Sequence, residues 1–199
     1  MRVRFGWILG LAGLCVVPAA ANQAPLSETL IGPAIVEDMR RTFSTDIVLL
    51  SLRGANINRK DMSQDEIDAY DTRWRAEREE NAKPLITSTL TSPLSNYATR
   101  IQAHSNGLIV EIIIVGIKGL NVGQSAITGD MWQGDEAKFQ RTAALGPSRV
   151  FIDQAEYHEG SGTWRAQLNM SIDDPDSGEP IGAATIEINL TELNRRLKL

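Results

Sequence analysis

The sequence predicts an α+β fold, with a long N-terminal helix and smaller helices packed on a five-stranded antiparallel sheet. In the first half, apolar residues recur about every four positions, which is typical of amphipathic helices. After Asn106-Gly107 the pattern changes to short segments typical of strands, the first of them rich in Ile and Val, which are separated by short turn signals. Strands joined by hairpins favour an antiparallel sheet with helices on one face.

The helical half begins with one long predicted helix. Ser27 can cap its N-terminus, and the apolar stretch at residues 47–52 extends it to about Gly54. The residues of its apolar stripe are Ile31, Ile35, Met39 and Phe43. This stripe needs a partner, and the sheet is the partner we expect.

Two shorter helices are predicted further along. The segment Ser63-Gln64-Asp65-Glu66 fits a capping box, in which the serine and glutamate side chains satisfy otherwise unpaired backbone N–H groups. Ser92-Pro93 supplies a cap followed by proline at the first helical position. The apolar residues that share a face are Ile67, Tyr70 and Trp74 in the first helix and Leu94, Tyr97 and Ile101 in the second.

The predicted strands are residues 108–115, 120–127, 149–157, 163–172 and 181–190. Residues 163–172 alternate strictly, so Leu168 and Met170 point to one side while Gln167 and Asn169 point to the other. The polar side is either open to solvent or covered by residues 128–148. Because that insertion carries large apolar side chains, we expect it to cover the sheet and form a polar-lined pocket.

The N-terminus predicts export. Arg2 and Arg4 precede an apolar run, and the small residues at 19–21 suit signal-peptide cleavage, which gives a signal peptide at 1–21 and a single domain at 22–199. We expect a soluble periplasmic protein, because no later segment is apolar for long enough to form an anchor. A lipid anchor at Cys15, which follows Leu14 instead of a small residue, and an uncleaved membrane anchor are the alternatives.

Charge and cysteine content exclude several function classes. Cleavage lowers the basic residues from 20 to 18 against 25 acidic ones, so the mature formal charge is −7, and nucleic acid is not an expected partner. The only cysteine, Cys15, is also lost, which excludes disulfides and thiolate chemistry.

His104 and His158 lie in no catalytic or zinc motif, and residues 174–178 lack the ligand spacing of a calcium loop. We therefore expect no enzyme activity, no metal and no cofactor.

Three stretches resemble a known family. They are residues 119–125 (GLNVGQS), 130–139 (DMWQGDEAKF) and 182–186 (GAATI). Together they make residues 27–193 similar to an extracellular Cache domain of the PDC sensor type, a single domain whose five-stranded antiparallel sheet is PAS-like. The resemblance implies that a small polar molecule binds between the sheet and its covering loop, and that the terminal helices signal to a membrane protein.

The resemblance also implies partners. Since the sequence ends at Leu199, we expect a separate membrane partner such as a histidine kinase or chemoreceptor, and a homodimer through the N-terminal helix. Met131 stands where such modules commonly have a tyrosine, and the arginine-tryptophan-tyrosine arrangement of amino-acid-binding relatives is missing. An amino acid ligand is therefore not implied. A structural or protein-interaction module that has lost its ligand is the open alternative.

Trp132 and Asp135 are the first candidate ligand contacts. The indole offers a flat apolar wall, and the carboxylate can fix a donor group. In the alternative interpretation Trp132 is core packing and Asp135 only favours the start of a short helix. The remaining candidates are Asp130, Gln124, Phe151, Gln167 and Asn169, of which Gln124, Gln167 and Asn169 can equally belong to an exposed polar face.

The export hypothesis predicts a definite N-terminus. The protein purified from a periplasmic extract begins at Asn22 and stays in solution without detergent, because the small residues before Asn22 form the cleavage site. Intact-mass measurement checks this. A mass that includes residues 1–21, or one increased by acyl chains, contradicts it.

Overall fold

The computed structural model describes residues 24–198, so the predicted signal peptide at 1–21 lies outside the described residues. The helices are α1 (Ser27–Leu30), α2 (Pro33–Phe43), α3 (Asp46–Arg59), α4 (Gln64–Glu79), α5 (Pro84–Leu90), α6 (Pro93–His104), α7 (Ala137–Gln140) and α8 (Leu190–Leu197). The strands are β1 (Ile109–Gly116), β2 (Asn121–Gln124), β3 (Val150–Ile152), β4 (Glu156–His158), β5 (Thr163–Asp173) and β6 (Pro180–Asn189). A short 3₁₀ turn lies at Ala143–Leu145. Within these residues, no helix has the length and apolar character that spanning a bilayer requires.

The strands form one antiparallel sheet in the order β2-β1-β6-β5-β3, with β4 also paired to β5. This confirms the predicted α+β fold class. The predicted strand at 149–157 is divided into β3 and β4, which makes six strands in the described part of the chain. After Asp153, whose N–H donates to Gln167 at 2.9 Å, the chain leaves the ladder until Glu156.

The single long N-terminal helix was a wrong prediction, since α1, α2 and α3 replace it. Pro33 disfavours helical geometry in the residue before it, and Gly32 is extended. A second break follows α2, where Thr45 is also extended. The predicted end near Gly54 was wrong as well, because α3 runs to Arg59. Helices tolerate a single interior glycine at a cost of about 1 kcal/mol.

The main core lies between the helices and the side of the sheet that carries Leu168 and Met170. Ile31 and Phe43 of the predicted stripe are buried there, whereas Ile35 and Met39 are half-buried. The sheet contributes Ile112, Ile114, Ala166, Leu168, Met170, Ile172, Ala184, Ile186 and Ile188. The predicted docking of the helical stripe on the apolar face of β5 is confirmed.

A smaller core joins α4 and α5 to the segment around β2. It contains Ile67, Trp74, Leu85, Ile86, Leu120 and Met131. Both predicted caps are present, with Ser63 and Glu66 forming the capping box and Ser92 accepting from the Ser95 N–H. Ile67 and Trp74 of the predicted helical face are buried, whereas Tyr70 is 40% exposed.

Glu77 connects α4 to α5. Its carboxylate is buried, and one oxygen accepts from the backbone N–H groups of Leu85 (2.7 Å) and Ile86 (3.0 Å) at the start of α5. The other oxygen accepts from Arg73 at 2.9 Å. Burial acts to raise the pKa of Glu77, but the hydrogen bonds from Ile86, Arg73 and Leu85 outweigh it, so the pKa is lowered.

The position of Phe43 predicts a large loss of stability on truncation. Phe43 is 1% exposed in the main core, so Phe43→Ala leaves a cavity and lowers the free energy of unfolding by about 3 to 5 kcal/mol. Chemical denaturation measures the change. Leu50→Ala on α3 is the control, because Leu50 is 64% exposed and its loss should change stability by less than about 0.5 kcal/mol. Equal losses in the two variants would contradict the docking of α2 on the sheet.

Candidate functional site

The side of the sheet facing away from the main core carries a charged row. Glu111 on β1 is directly opposite Glu187 on β6, and Glu187 is directly opposite Gln167 on β5. Opposed residues in neighbouring strands point to the same face. The three polar side chains therefore lie next to each other across the centre of the sheet, with Arg165 two residues from Gln167 on the same face.

The next row on this face is buried and mostly polar. Asn169 is fully buried, and its amide donates to the carbonyl of Phe151 at 3.2 Å while its oxygen accepts from the Thr185 hydroxyl at 2.8 Å. The guanidinium of Arg141 lies 3.6 Å from the centroid of the Phe151 ring. Asn169 is thus held by its neighbours within the sheet, and Phe151 is covered from above.

The insertion at 128–148 covers the apolar end of the same face. Phe139 of α7 and Ala143 of the 3₁₀ turn pack on Ile113, Val115 and Ala183. The expected covering of the second face is therefore confirmed at this end. The charged row lies beside the covered region.

Helix α4 fixes the start of the insertion. One carboxylate oxygen of Asp71 accepts from the backbone N–H groups of Met131 (2.8 Å) and Trp132 (3.1 Å), and the other accepts from Arg75 at 2.8 Å. The Trp132 indole N–H donates to the carbonyl of Lys118 at 3.0 Å. The insertion is consequently attached at its first turn before it crosses the sheet.

A cavity of about 220 Å³ opens over the charged row. Its walls are Glu136, Asp153, Gln154, Glu156, Arg165, Ala166, Gln167 and Glu187. Arg165 lies 3.5 Å from Glu187, and Lys138, whose side chain is only 11% exposed, lies 3.1 Å from Glu136. The sheet supplies the floor, and the insertion and the β3–β4 connection supply the sides. We call this space the charged cavity.

Glu111 lies beside the charged cavity and is electrostatically strained. Burial raises the pKa of Glu111, and the nearby carboxylate of Glu187 raises it further. Lys138 and Arg165 act in the opposite direction without cancelling the effect. The strand pairing that places two carboxylates side by side therefore disfavours the ionised form of Glu111.

Three of the predicted ligand contacts lie on this face of the sheet. Gln167 lines the charged cavity, and Asn169 and Phe151 lie in the next row. Their roles in binding stay predictions. Asn169 contacts its sheet neighbours, so a ligand in the charged cavity reaches Gln167 first.

The other four predicted contacts lie elsewhere. Trp132 packs against the smaller core. Gln124 is fully buried at the end of β2, where its side-chain oxygen accepts a hydrogen bond from the side-chain amide of Asn121 at 2.8 Å. The Asp130 carboxylate lies 3.3 Å from Arg75 on α4. Asp135 is exposed on the segment before α7 and does not cap that helix by a side-chain hydrogen bond. These four residues do not line the charged cavity, and their proposed ligand contacts stay untested predictions.

Most walls of the charged cavity were not among the predicted contacts. Glu111 and Glu187 each interrupt an apolar strand, and that interruption was the available signal. Once the strands are paired, both carboxylates fall on the face of Arg165 and Gln167. Sequence alone did not provide this register.

The histidines make local contacts, and the acidic turn at 174–178 contacts helix α3. His104 Nδ1 lies 2.7 Å from the carbonyl of Arg100, and His158 Nδ1 lies 3.0 Å from the Ser161 hydroxyl in an exposed hairpin turn. Asp174 and Asp176 bind the guanidinium of Arg53 on α3. Among residues 24–198, no three His, Cys, Asp or Glu side chains are placed to hold a metal ion together.

No protein-family model and no curated protein matches the chain. Similar solved structures include the ligand-binding domain of the Pseudomonas aeruginosa amino acid chemoreceptor PctC in complex with GABA (TM-score 0.38, 11% identity, 82% of this chain and 64% of that one). The ligand-binding domain of the Campylobacter jejuni chemoreceptor Tlp3 with 4-methylisoleucine is also similar (TM-score 0.38, 13% identity, 84% and 65%). A third is the Escherichia coli DcuS sensor domain (TM-score 0.37, 17% identity, 66% and 97%).

The chain thus spans a little under two thirds of the length of the two chemoreceptor domains. All three neighbours are ligand-binding or sensor domains. At these identities and TM-scores the likeness concerns the general course of the chain and does not indicate a ligand.

The strain at Glu111 predicts a pH-dependent gain in stability for Glu111→Gln. Because the pKa of Glu111 is raised in the folded state, folding is favoured while the carboxyl is protonated, and this contribution is lost as the pH rises through that folded-state value. Glu111→Gln should therefore unfold at a higher temperature than the unaltered protein at neutral pH. The difference should disappear below about pH 4, where the unfolded carboxyl is protonated too.

Thermal unfolding across this pH range measures the difference. Glu179→Gln is the matched control, because Glu179 is exposed in the turn before β6 and should change the midpoint little at any pH. A gain for Glu111→Gln that is equal at acid and neutral pH would contradict ionisation as its cause.

Proposed function

We propose that this chain is an extracytoplasmic sensing module that binds a small molecule in the charged cavity. The observation that carries the proposal is a polar cavity built on the sheet and bounded by a covering segment, with charged groups from several elements directed toward one space. Convergent polar groups in a concave site are typical of small-molecule binding. The volume of about 220 Å³ favours a small ligand.

The terminal helices are suited to report binding. The Ser27 hydroxyl at the start of α1 donates to the carbonyl of Asp153, a wall of the charged cavity, at 2.5 Å. Helix α8 follows β6 directly, and its cap Asn189 is only two residues from Glu187. A shift of the β3–β4 connection or of β6 on binding therefore reaches both ends of the domain.

The remaining parts of the proposal follow from this arrangement. A signal peptide at 1–21 delivers the domain to the periplasm, and a membrane histidine kinase or chemoreceptor receives the signal from the terminal helices. The module performs no reaction on its ligand. A homodimer through α2 and α3, which replace the predicted long helix, is a further part of the proposal.

The proposal predicts a ligand-dependent rise in the thermal midpoint. In a screen of small carboxylates, amines, amides and sugars, at least one compound should raise the midpoint by an amount that grows with the logarithm of its concentration. Gln167→Trp should abolish this response, because the larger side chain fills the cavity above β5. Gln64→Trp at the exposed start of α4 is the matched control and should keep the response.

Circular dichroism establishes whether each variant is folded. If Gln167→Trp is not folded, a crystal structure of the unaltered protein with the active compound shows whether the compound lies in the charged cavity. A compound located outside the charged cavity, or a screen in which nothing raises the midpoint, contradicts the proposal. The second outcome favours the protein-interaction module as the function of this fold.

A further inference from the structure

The charged cavity has an excess of negative charge. Its walls carry the four carboxylates of Glu136, Asp153, Glu156 and Glu187 and the single guanidinium of Arg165. Adding the adjacent Glu111 and Lys138 contributes one charge of each sign and leaves the balance unchanged. The formal charge is therefore −3 with or without this pair.

The two cations are already engaged by carboxylates of the same site. Arg165 pairs with Glu187 and also donates to the hydroxyl of Ser161 at 2.9 Å. Lys138 pairs with Glu136 at 3.1 Å. An anionic ligand would have to break one of these pairs and would then face the remaining carboxylates.

Partial burial strengthens the preference of the charged cavity for a cation over an anion. The side chains of Arg165 and Glu187 are 17% and 24% exposed, so water screens their charges less than at an open surface. Burial is the largest cause of the raised pKa of Glu111, and the neighbouring carboxylate of Glu187 raises it further. A positive group placed there would relieve the repulsion between Glu111 and Glu187.

The spacing of the carboxylates distinguishes between kinds of cation. Among the described residues, no group of three potential ligands is close enough to hold one metal ion. The carboxylates come instead from four separate segments, namely β4, β6, the β3–β4 connection and the residue before α7. Separated carboxylates suit an extended molecule with ammonium groups better than a compact ion.

We propose that the charged cavity selects a small organic cation, a primary amine or diamine, whose ammonium groups bind Glu187 and Glu156. This inference rests on the proposed function and specifies its ligand class. The cavity is smaller than the roughly 300 to 1,000 Å³ of typical ligand pockets, so the cation should contain only a few carbon atoms.

A series of probes with equal chain length tests the charge rule. Putrescine, γ-aminobutyrate, butanediol and succinate carry two positive charges, both signs, no charge and two negative charges, respectively. Isothermal titration calorimetry at fixed ionic strength should show putrescine binding at least about tenfold more tightly than the other three compounds. Calcium chloride is added as a separate probe and should not bind at this site.

Two pocket variants and one control locate the effect. Glu187→Gln and Glu156→Gln should each weaken putrescine about tenfold, because each removes a charged acceptor. Because Glu156 is exposed on β4, Glu156→Gln should stay folded, and it still tests the inference if Glu187→Gln unfolds. Glu179→Gln removes the same charge from a distant exposed turn and should leave the affinity unchanged.

Several results overturn the inference. The inference is wrong if succinate binds more tightly than putrescine, or if γ-aminobutyrate binds as tightly as putrescine. It is also wrong if calcium binds and loses affinity in Glu187→Gln, or if Glu179→Gln weakens putrescine as much as the two pocket variants do. Absence of putrescine binding also overturns it. If another compound of the wider screen still binds and loses its effect in Gln167→Trp, only the amine inference fails. If no compound of any class binds, the proposed function fails with it.

Discussion

The alternation of side chains along the central strands determines most of this structure. In β1, β6 and β5, one set of side chains is almost wholly apolar and fills the main core. The opposite set changes from apolar to charged along β1 and β6 and is polar throughout β5. Because the side-chain period is two, a register slip of one residue would place Glu111 or Glu187 in the main core. Burying unpaired carboxylates there would be strongly unfavourable. The register that forms the core therefore also forms the floor of the charged cavity.

The insertion is stabilised by packing at one end of the face and by backbone hydrogen bonds at its start. Asp71 holds the chain at Met131 and Trp132, and Phe139 covers the apolar end of the sheet. Trp132 also closes over Gly119 and Gly134, where a Cβ atom would lie 3.1 Å and 2.4 Å from the indole nitrogen. These contacts explain the large apolar residues in an otherwise irregular segment. They leave the charged row beside the insertion instead of beneath it.

The sequence was sufficient for the layers of the fold and insufficient for the site. Periodicity identified the helices and the faces of β5, because burial imposes that periodicity locally. The N-terminal helix was predicted as continuous, since an apolar stripe can pass through short breaks at Gly32 and Thr45 without losing its spacing. The charged cavity depends on pairing between strands that are distant in the chain, and Glu111 meets Glu187 only through that pairing. Trp132 was predicted as a ligand contact because of its residue type, and in the structure it packs against the smaller core.

Glu77 and Glu111 are both shielded from water, but their charges are compensated to different degrees. Glu77 accepts two backbone N–H groups and an arginine, and its pKa is lowered despite burial. Its charge is thus compensated where it lies, and it connects α4 to α5. Glu111 has a raised pKa, because burial and Glu187 disfavour its charge. Ionised Glu111 therefore opposes folding at neutral pH, and stability does not explain its place in the sheet. A cation bound beside Glu111 and Glu187 would relieve the repulsion between them, and this relief would contribute to the affinity for the cation.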